Sequence, residues 1–409
     1  MAGATFDFAS ALRPDLPAAA VRWSGFPKFN FVGGHNAPES IPIDDLREAA
    51  DAVLRREGAS LATYSLESGP QGYKPLREFL VQKLKADAGI TCSADDILLT
   101  SGSLQGIDLV NEVLLRPGDT VLIEQATYGG VLTRFARLGV TPIGIPLDGD
   151  GMRTDALEAA LSDLKAKGRL PKYIYVIPTV QNPTASIMSE GRRAEIIKLA
   201  EAYNVPIFED ECYSDLIWDR KRPPAIYAMD GSRRTIFVGS FSKSIAPALR
   251  VGFVVAPWEI MSRMLAVKKD AGSGALEQMV LAEYCTTHFD THVDRLCKTL
   301  KGKLDALVGA LEEQFGTAAE FEVPKGGIFL WVRLPAPVDT AKLAQVAAKA
   351  GVAINPGPEW SIDPDGANRC LRICYANPPI ETIRNGVAAL AEVCNTEFGV
   401  PTRIANTAR

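Results

Sequence analysis

The sequence predicts an α/β protein built around a doubly wound sheet, and three observations carry that expectation. Short, near-continuously apolar runs recur through the middle of the chain, as parallel strands covered on both faces do. Helical patterns separate these runs, so strand and helix alternate. The chain has 409 residues, enough to bury a large core with no disulfide or metal to staple it.

Taken in order, residues 1–40 are rich in Pro, Gly and aromatics and carry little periodicity. Asp44 reads as the N-cap of a helix that runs to Arg56 and is stopped by Gly58. The apolar runs place strands at Ile97–Thr100, Thr120–Glu124, Tyr173–Pro178, Val205–Glu209, Thr235–Gly239 and Val251–Ala256. Helical patterns lie between them at Gln105–Leu115, Tyr128–Leu138, Thr154–Lys167 and Ser189–Tyr203. From about residue 290 a long helix is expected. After it come Glu320–Leu334 with a Lys-Gly-Gly kink, a helix at Thr340–Ala350, strands near Val352–Asn355 and Cys370–Ala376, and a final helix. The chain therefore divides into an N-terminal arm (1–45) that joins a small α+β domain (291–409), and a large domain (46–290).

Composition excludes several classes. Apolar residues are 47% and charged residues 23%, ordinary for a folded soluble domain and wrong for a disordered chain, a collagen or a coiled coil. Lys+Arg is 44 against 49 Asp+Glu, a formal charge of −5 with no basic stretch, so nucleic acid and anionic membrane are poor partners. No run approaches the ~18 apolar residues of a membrane span, and Met1–Ser10 has no basic segment followed by an apolar one. Seven scattered cysteines with no Cys-x-x-Cys imply reduced thiols and a cytoplasmic setting.

In an open α/β sheet the ligand lies beyond the carboxyl ends of the strands, so the residues just after each run are the ones to search. Ser101-Gly102-Ser103-Leu104-Gln105-Gly106 opens a helix and offers free N–H groups to a phosphate. Tyr128 follows the second run, Asn182 the third, and Asp210 with Tyr213 the fourth. A carboxylate at the end of a buried strand is costly unless a cation meets it. Ser240, Ser242 and Lys243 follow the fifth, with Arg250 just ahead of the sixth. A phosphate site, a stacking ring, an acid for a ring N–H⁺, amide and phenol donors and a lysine amine together describe a pyridoxal phosphate site.

With these motifs in order and spacing (Ser-Phe-Ser-Lys with Ala-Pro and Arg-x-Gly, Asp-Glu-x-Tyr, Gln-Asn-Pro-Thr and a late Leu-Arg-x-Cys-Tyr-Ala), the sequence resembles the fold-type I pyridoxal phosphate aminotransferases of class I/II. It is most similar to the branch of 2-aminoadipate, kynurenine and aromatic aminotransferases. The resemblance implies a large domain with a mostly parallel seven-stranded sheet flanked by helices, plus a small α+β domain built from both termini. Residue by residue, it implies that Lys243 forms the Schiff base and that Asp210 pairs with the ring nitrogen. Asn182 and Tyr213 would donate to the ring hydroxyl oxygen, and Tyr128 would stack on the ring. Ser103, the backbone of Leu104, Ser240, Ser242 and Arg250 would form the phosphate cup. Arg372 would grip the substrate α-carboxylate by a bidentate fork, with Gly34 near it, and Tyr64 would reach the phosphate site of a partner subunit in a homodimer. Lys243, Asp210 and Tyr128 are the expected catalytic residues, and Lys243, Arg250 and Arg372 make the site locally positive.

Three departures stand out. Leu104 replaces a Gln that follows the phosphate-cup Ser. Ala185 replaces the Gly of Asn-Pro-Thr-Gly, a test of whether that position needs positive φ. His35 and Asn36 follow Gly33-Gly34 where the family is apolar, and both are expected near the substrate mouth. Other features read as structure: His288 and His292 as a solvated helix face, Asp148-Gly149-Asp150-Gly151 as a turn, Lys268 and Lys269 as a surface patch, and Arg22 as a solvated residue of the arm.

The implied activity is transfer of an amino group between an L-amino acid and a 2-oxo acid, with Lys243 moving a proton. The alternatives are a lyase, cyclase, decarboxylase or racemase on the same site, an aminotransferase-like transcriptional regulator, for whose DNA-binding module residues 1–31 leave no room, and a dimeric scaffold without activity.

Overall fold

The computed structural model describes residues 7–14, 16–17, 19–23 and 25–402. Its centre is a seven-stranded sheet. Its strands, in chain order, are β1 (Ile97–Ser101), β2 (Thr120–Glu124), β3 (Thr141–Ile145), β4 (Ile174–Val176), β5 (Ile207–Asp210), β6 (Thr235–Ser240) and β7 (Val251–Val255). They lie in the order β1-β7-β6-β5-β4-β2-β3. Strand β7 is antiparallel to both of its neighbours and all other pairs are parallel. Because β7 runs backwards, its first residues share an edge with the carboxyl ends of the others, which is why Arg250 belongs with Asp210 and Ser240.

The strand missing from the sequence reading is β3, Thr-Pro-Ile-Gly-Ile. Its Pro142 and Gly144 weaken a strand signal, and both are tolerated because β3 is an edge strand.

The two-residue pleat sorts side chains between the layers. Val121, Ile123, Tyr173, Tyr175 and Phe208 pack on the face that holds Val110, Val131 and Phe135. Leu122, Ile174, Val176 and Ile207 pack on the opposite face, with Leu157, Leu161 and Ile196. On β5 this alternation puts Asp210 on the side of Phe208 and Tyr175, and Glu209 on the side of the Glu190–Tyr203 helix.

The ends of the chain meet. Phe29–Asn30 pairs in parallel with Val352–Ala353, and Cys374 N–H donates to Phe31 O at 2.9 Å. Phe329–Arg333, Cys370–Cys374 and Asn355–Pro356 form a three-stranded antiparallel sheet. A helix of 41 residues, Ala275–Phe315, passes unbroken through residues 290 and 291 and begins about four turns before the expected start. It packs against the Ile43–Glu57, Lys74–Ala88 and Ile380–Phe398 helices.

Two local expectations are corrected. The first helix begins at Ile43, so Asp44 lies in its first turn, facing the positive end of the dipole, and does not cap it. Gly58 sits at φ −57°, and the chain tightens there into a 3₁₀ turn, Gly58–Ala62, so the glycine is no left-handed stop. Asp148–Gly151 is a turn as read, between the paired segments Leu147–Asp148 and Gly151–Met152.

Candidate active site

A cavity of about 370 Å³ opens at the carboxyl edge of the sheet. Gly34, Ser103, Leu104, Tyr128, Asn182, Asp210, Tyr213, Ser240, Ser242, Lys243, Arg250 and Arg372 all line it. Tyr64 does not: it is 83% exposed and outside the lining. Arg22 is likewise exposed and outside.

At one end the Ser103–Leu114 helix presents its N-terminus, with orphan N–H groups and the positive dipole end. Gly102 precedes it at φ +76°, and a Cβ there would collide with the Arg250 guanidinium. A Cβ on Gly252 would overlap the Ser103 amide. Two glycines thus let β7, Arg250 and the helix turn close on one another. Arg250, itself at φ +52°, donates to Pro247 O (3.2 Å) and Ser101 O (3.3 Å). Lys268, expected on the surface, has its side chain covered and bonds Asp270 at 2.5 Å. Asp270 takes Gln105 Nε2 (2.5 Å), and Gln105 Oε1 takes Ser101 N–H (2.7 Å), so this chain of contacts braces the turn.

Asp210 is buried at the end of β5. Burial raises its carboxyl pKa, and donation by Tyr175 and Cys212 opposes that rise. Tyr175 Oη donates to Oδ2 at 2.7 Å, and Cys212 N–H to Oδ1 at 3.2 Å.

Lys243 donates from Nζ to Gly34 O at 2.5 Å, and its ammonium lies 5.8 Å from the Tyr213 ring centroid. Burial lowers its pKa, and Arg372 and Arg250 push the same way. A lysine of lowered pKa is the kind that serves as nucleophile and base. His35 also lines the cavity, with its pKa lowered by burial and by Lys243.

Arg372 is buried on the middle strand of the small sheet. Nη1 donates to Asn182 Oδ1 at 3.0 Å, and the guanidinium stacks 3.6 Å from the Trp360 ring centroid. Asn182 Nδ2 donates to Tyr213 Oη at 3.3 Å. Ala185, in the same turn, has φ +60°, so the position does take positive φ without a glycine. Behind the turn, Gln181 Nε2 donates to Ala126 O (2.7 Å) and to Glu124 Oε2 (3.1 Å). Glu124 is fully buried, and burial pushes its pKa up to about 8.

Sequence reasoning missed Ile177, Cys212, Pro247 and Trp360 as lining residues. Pro247 stands in the Ala-Pro of the lysine motif, and Trp360 carried a signal of its own, an aromatic residue in a Gly-Pro turn ahead of the arginine strand. Its carbonyl accepts Thr127 N–H at 2.9 Å, tying it to the Tyr128 loop. Two other readings are corrected. Asn36 lies away from the mouth, buried, with Nδ2 donating to Lys243 O at 2.7 Å. His292 is 2% exposed rather than solvated, with Nε2 2.9 Å from Ser244 O.

The donor set fits pyridoxal phosphate: an anion cup of helix N-terminus, hydroxyls and Arg250, a ring slot beside Tyr128, a buried carboxylate, and an amine of lowered pKa.

The family described as aminotransferase class I and II matches residues 34–390. Aromatic-amino-acid aminotransferase 1 of Thermococcus litoralis is 33% identical, over 90% of this chain and 88% of that protein. The solved multiple substrate aminotransferase of Thermococcus profundus superposes with a TM-score of 0.88 at 32% identity, covering 96% of this chain and 99% of that one. The α-aminoadipate aminotransferase LysN of Thermus thermophilus, solved with N-(5'-phosphopyridoxyl)-L-leucine, gives 0.82 at 30% identity over 90% and 92%.

Proposed function

The chain belongs to the aminotransferase class I and II family, and on that premise we propose a role for each residue of its cavity. The protein is a pyridoxal phosphate-dependent enzyme that transaminates amino acids. The observation that carries the assignment is the shared cavity of Lys243, Asp210 and Arg372.

Bound pyridoxal phosphate supplies an electron sink that makes the amino acid Cα–H acidic. Ser103, the Leu104 amide, Ser240, Ser242 and Arg250 would hold its phosphate. Asp210 would keep the ring nitrogen protonated, and Tyr128 would offer its ring to the cofactor. Asn182 and Tyr213 would donate to the ring hydroxyl oxygen. Lys243 would hold the cofactor and move the Cα proton, a task suited to an amine whose pKa burial has lowered. Arg372 takes the α-carboxylate with its fork, beside Gly34, and so fixes which Cα bond faces Lys243. The substrates are small molecules, an amino acid and a 2-oxo acid.

The exposure of Tyr64 supports a homodimer in which it serves the partner's phosphate site. All seven cysteines are free, which suits a cytoplasmic setting. No helix among the described residues is long and apolar enough to cross a membrane.

The test is spectroscopic. The purified protein should show the visible band of bound pyridoxal phosphate, and borohydride should fix the cofactor on Lys243. Lys243→Ala should lose that band, and adding an amino acid to the wild type should convert it to the pyridoxamine form with release of the matching 2-oxo acid. A wild type that takes up no cofactor overturns the assignment.

A further inference from the structure

The Lys243 loop has a backbone problem that the sequence itself creates. Residues 241–245 form a helical turn, and Ile245 N–H bonds Phe241 O at 2.9 Å. Continued as a helix, the turn would give the Lys243 carbonyl to the N–H of residue 247. That residue is Pro247, which has none. Pro247 begins a separate 3₁₀ turn, Pro247–Leu249, so the Ser244 carbonyl loses its helical partner as well. Two consecutive carbonyls beside the reactive lysine need donors from elsewhere, because an unpaired buried carbonyl is costly.

Two distant segments supply them. Asn36, in the N-terminal arm, donates from Nδ2 to Lys243 O at 2.7 Å. His292, on the 41-residue helix, lies with Nε2 2.9 Å from Ser244 O. A carbonyl only accepts, so each partner must be the donor: the Asn36 amide is oriented by that bond, and the His292 proton sits on Nε2. Both side chains are buried, at 5% and 2% exposure. His292 Nδ1 has no partner, and burial lowers the imidazole pKa, so the neutral donor tautomer is the stable one.

The arm holds the lysine at both ends. Gly34 O accepts from Nζ, and two residues on, Asn36 grips the carbonyl of the same lysine. The contact at Nζ must be given up when the amine enters a covalent bond, whereas the contact at the main chain need not change. We propose that Asn36 and His292 are positioning residues for Lys243, a pair of clamps that replace the backbone donor Pro247 lacks and so fix where the lysine amine reaches. The proposal rests on the reading of Lys243 as the cofactor-binding lysine.

The test uses holoenzyme. Asn36→Asp is isosteric and removes the donor, and His292→Phe keeps a ring and removes Nε2. Rapid mixing with an amino acid reads the first half-reaction as loss of the visible band, giving a single-turnover rate and an apparent affinity. A pH titration of the same band without substrate reads the environment of the lysine nitrogen. Each variant should slow the half-reaction by about 10- to 100-fold, the scale of a misplacement near 1 Å, with apparent affinity changed by less than about 3-fold. Each should also displace the midpoint of the band titration. His292→Gln, which restores a donor at the Nε2 position, should recover most of the rate, and a Gln variant as slow as the Phe variant overturns the role of the His292 donor. If Asn36→Asp takes up no cofactor, Asn36→Ala replaces it. Variants that melt earlier yet keep the wild-type rate and midpoint show a merely structural contact and overturn the proposal. A wild type with no visible band, or one that Lys243→Ala leaves unchanged, strikes the reading of Lys243 itself.

Discussion

The Arg372 guanidinium lies 3.6 Å from the centroid of the Trp360 indole, while its Nη1 donates to Asn182 Oδ1 at 3.0 Å. Stacking fixes the plane of the fork, and the asparagine fixes its rotation. A lysine keeps the charge at this site and loses both constraints. Arg372→Lys should therefore weaken apparent amino acid affinity by about 10- to 100-fold, corresponding to one or two charge-assisted hydrogen bonds. Trp360→Leu should cost less, about 5- to 30-fold, the scale of a desolvated cation–π contact. Titration of the cofactor band with an amino acid measures both. Equal affinities for wild type and Arg372→Lys refute the assignment of the fork.

The cup at the other end depends on Gly102. A Cβ there meets the Arg250 guanidinium, and φ +76° is unfavourable for any other residue. Gly102→Ala should push Arg250 aside and weaken cofactor binding by about 10-fold or more, since a hydrogen bond to a charged group contributes ~1.5–3 kcal/mol. Equilibrium dialysis against pyridoxal phosphate reads it. Unchanged affinity separates Arg250 from the phosphate.

Ala185 holds φ +60° in the turn that carries Asn182. The left-handed conformation costs an L-residue ~1–2 kcal/mol, but the Ala185 methyl is buried and contributes ~0.8 kcal/mol. Glycine also carries more unfolded-state entropy. These effects nearly cancel, so Ala185→Gly should change unfolding free energy by less than ~1 kcal/mol. Ala185→Val adds a β-branched side chain where φ is positive and should cost about 2 kcal/mol or more. Urea unfolding of the two variants checks the pair, and a strongly stabilised glycine variant contradicts the cancellation.

Much of this site was legible because strand-end chemistry in an α/β sheet is collinear with the sequence. Asp210 and Ser240 end their strands and Lys243 lies three residues beyond Ser240, and a run of buried residues announces each strand. What could not be read came from tertiary packing. β3 was hidden by Pro142 and Gly144, residues acceptable only at a sheet edge. Asn36 and His292 look like ordinary polar residues of an arm and a helix, and their roles arise from carbonyls more than 40 residues away. Trp360 belongs to the site because the small sheet brings Arg372 beneath it, a contact no local spacing encodes.

Glu124 makes stability depend on pH. Its carboxyl is raised by burial to about 8 from an ordinary 4.5. Between those values the folded chain keeps a proton that the unfolded chain gives up, so stability falls as pH rises from about 4.5 to about 8, by up to ~1.4 kcal/mol per pH unit. Glu209, raised to about 8 first by burial and then by Glu211, acts in the same direction. Glu124→Gln keeps an acceptor for Ile177 N–H and Gln181 and cannot ionise. It should flatten this decline in part, gaining on the wild type at pH 8 relative to pH 5. Parallel wild-type and variant curves in urea unfolding over that range place the proton elsewhere.

Tyr175 offers the sharpest test of Asp210. Its phenol donates to Oδ2 at 2.7 Å, and its ring packs edge-on against Phe208 with centroids 5.6 Å apart. Phenylalanine keeps that packing and removes only the donor. Burial already raises the Asp210 carboxyl, and the Tyr175 bond opposes the rise. Losing the bond lifts the pKa further, so the carboxylate takes up a proton at a higher pH than in the wild type. A protonated Asp210 no longer favours a proton on the ring nitrogen, and proton removal from the substrate slows. The acid limb of the half-reaction rate should therefore move to higher pH in Tyr175→Phe. Apparent amino acid affinity should stay within about 3-fold, because Arg372 is untouched. A pH–rate profile that superposes on the wild type shows that Asp210 does not need the phenol.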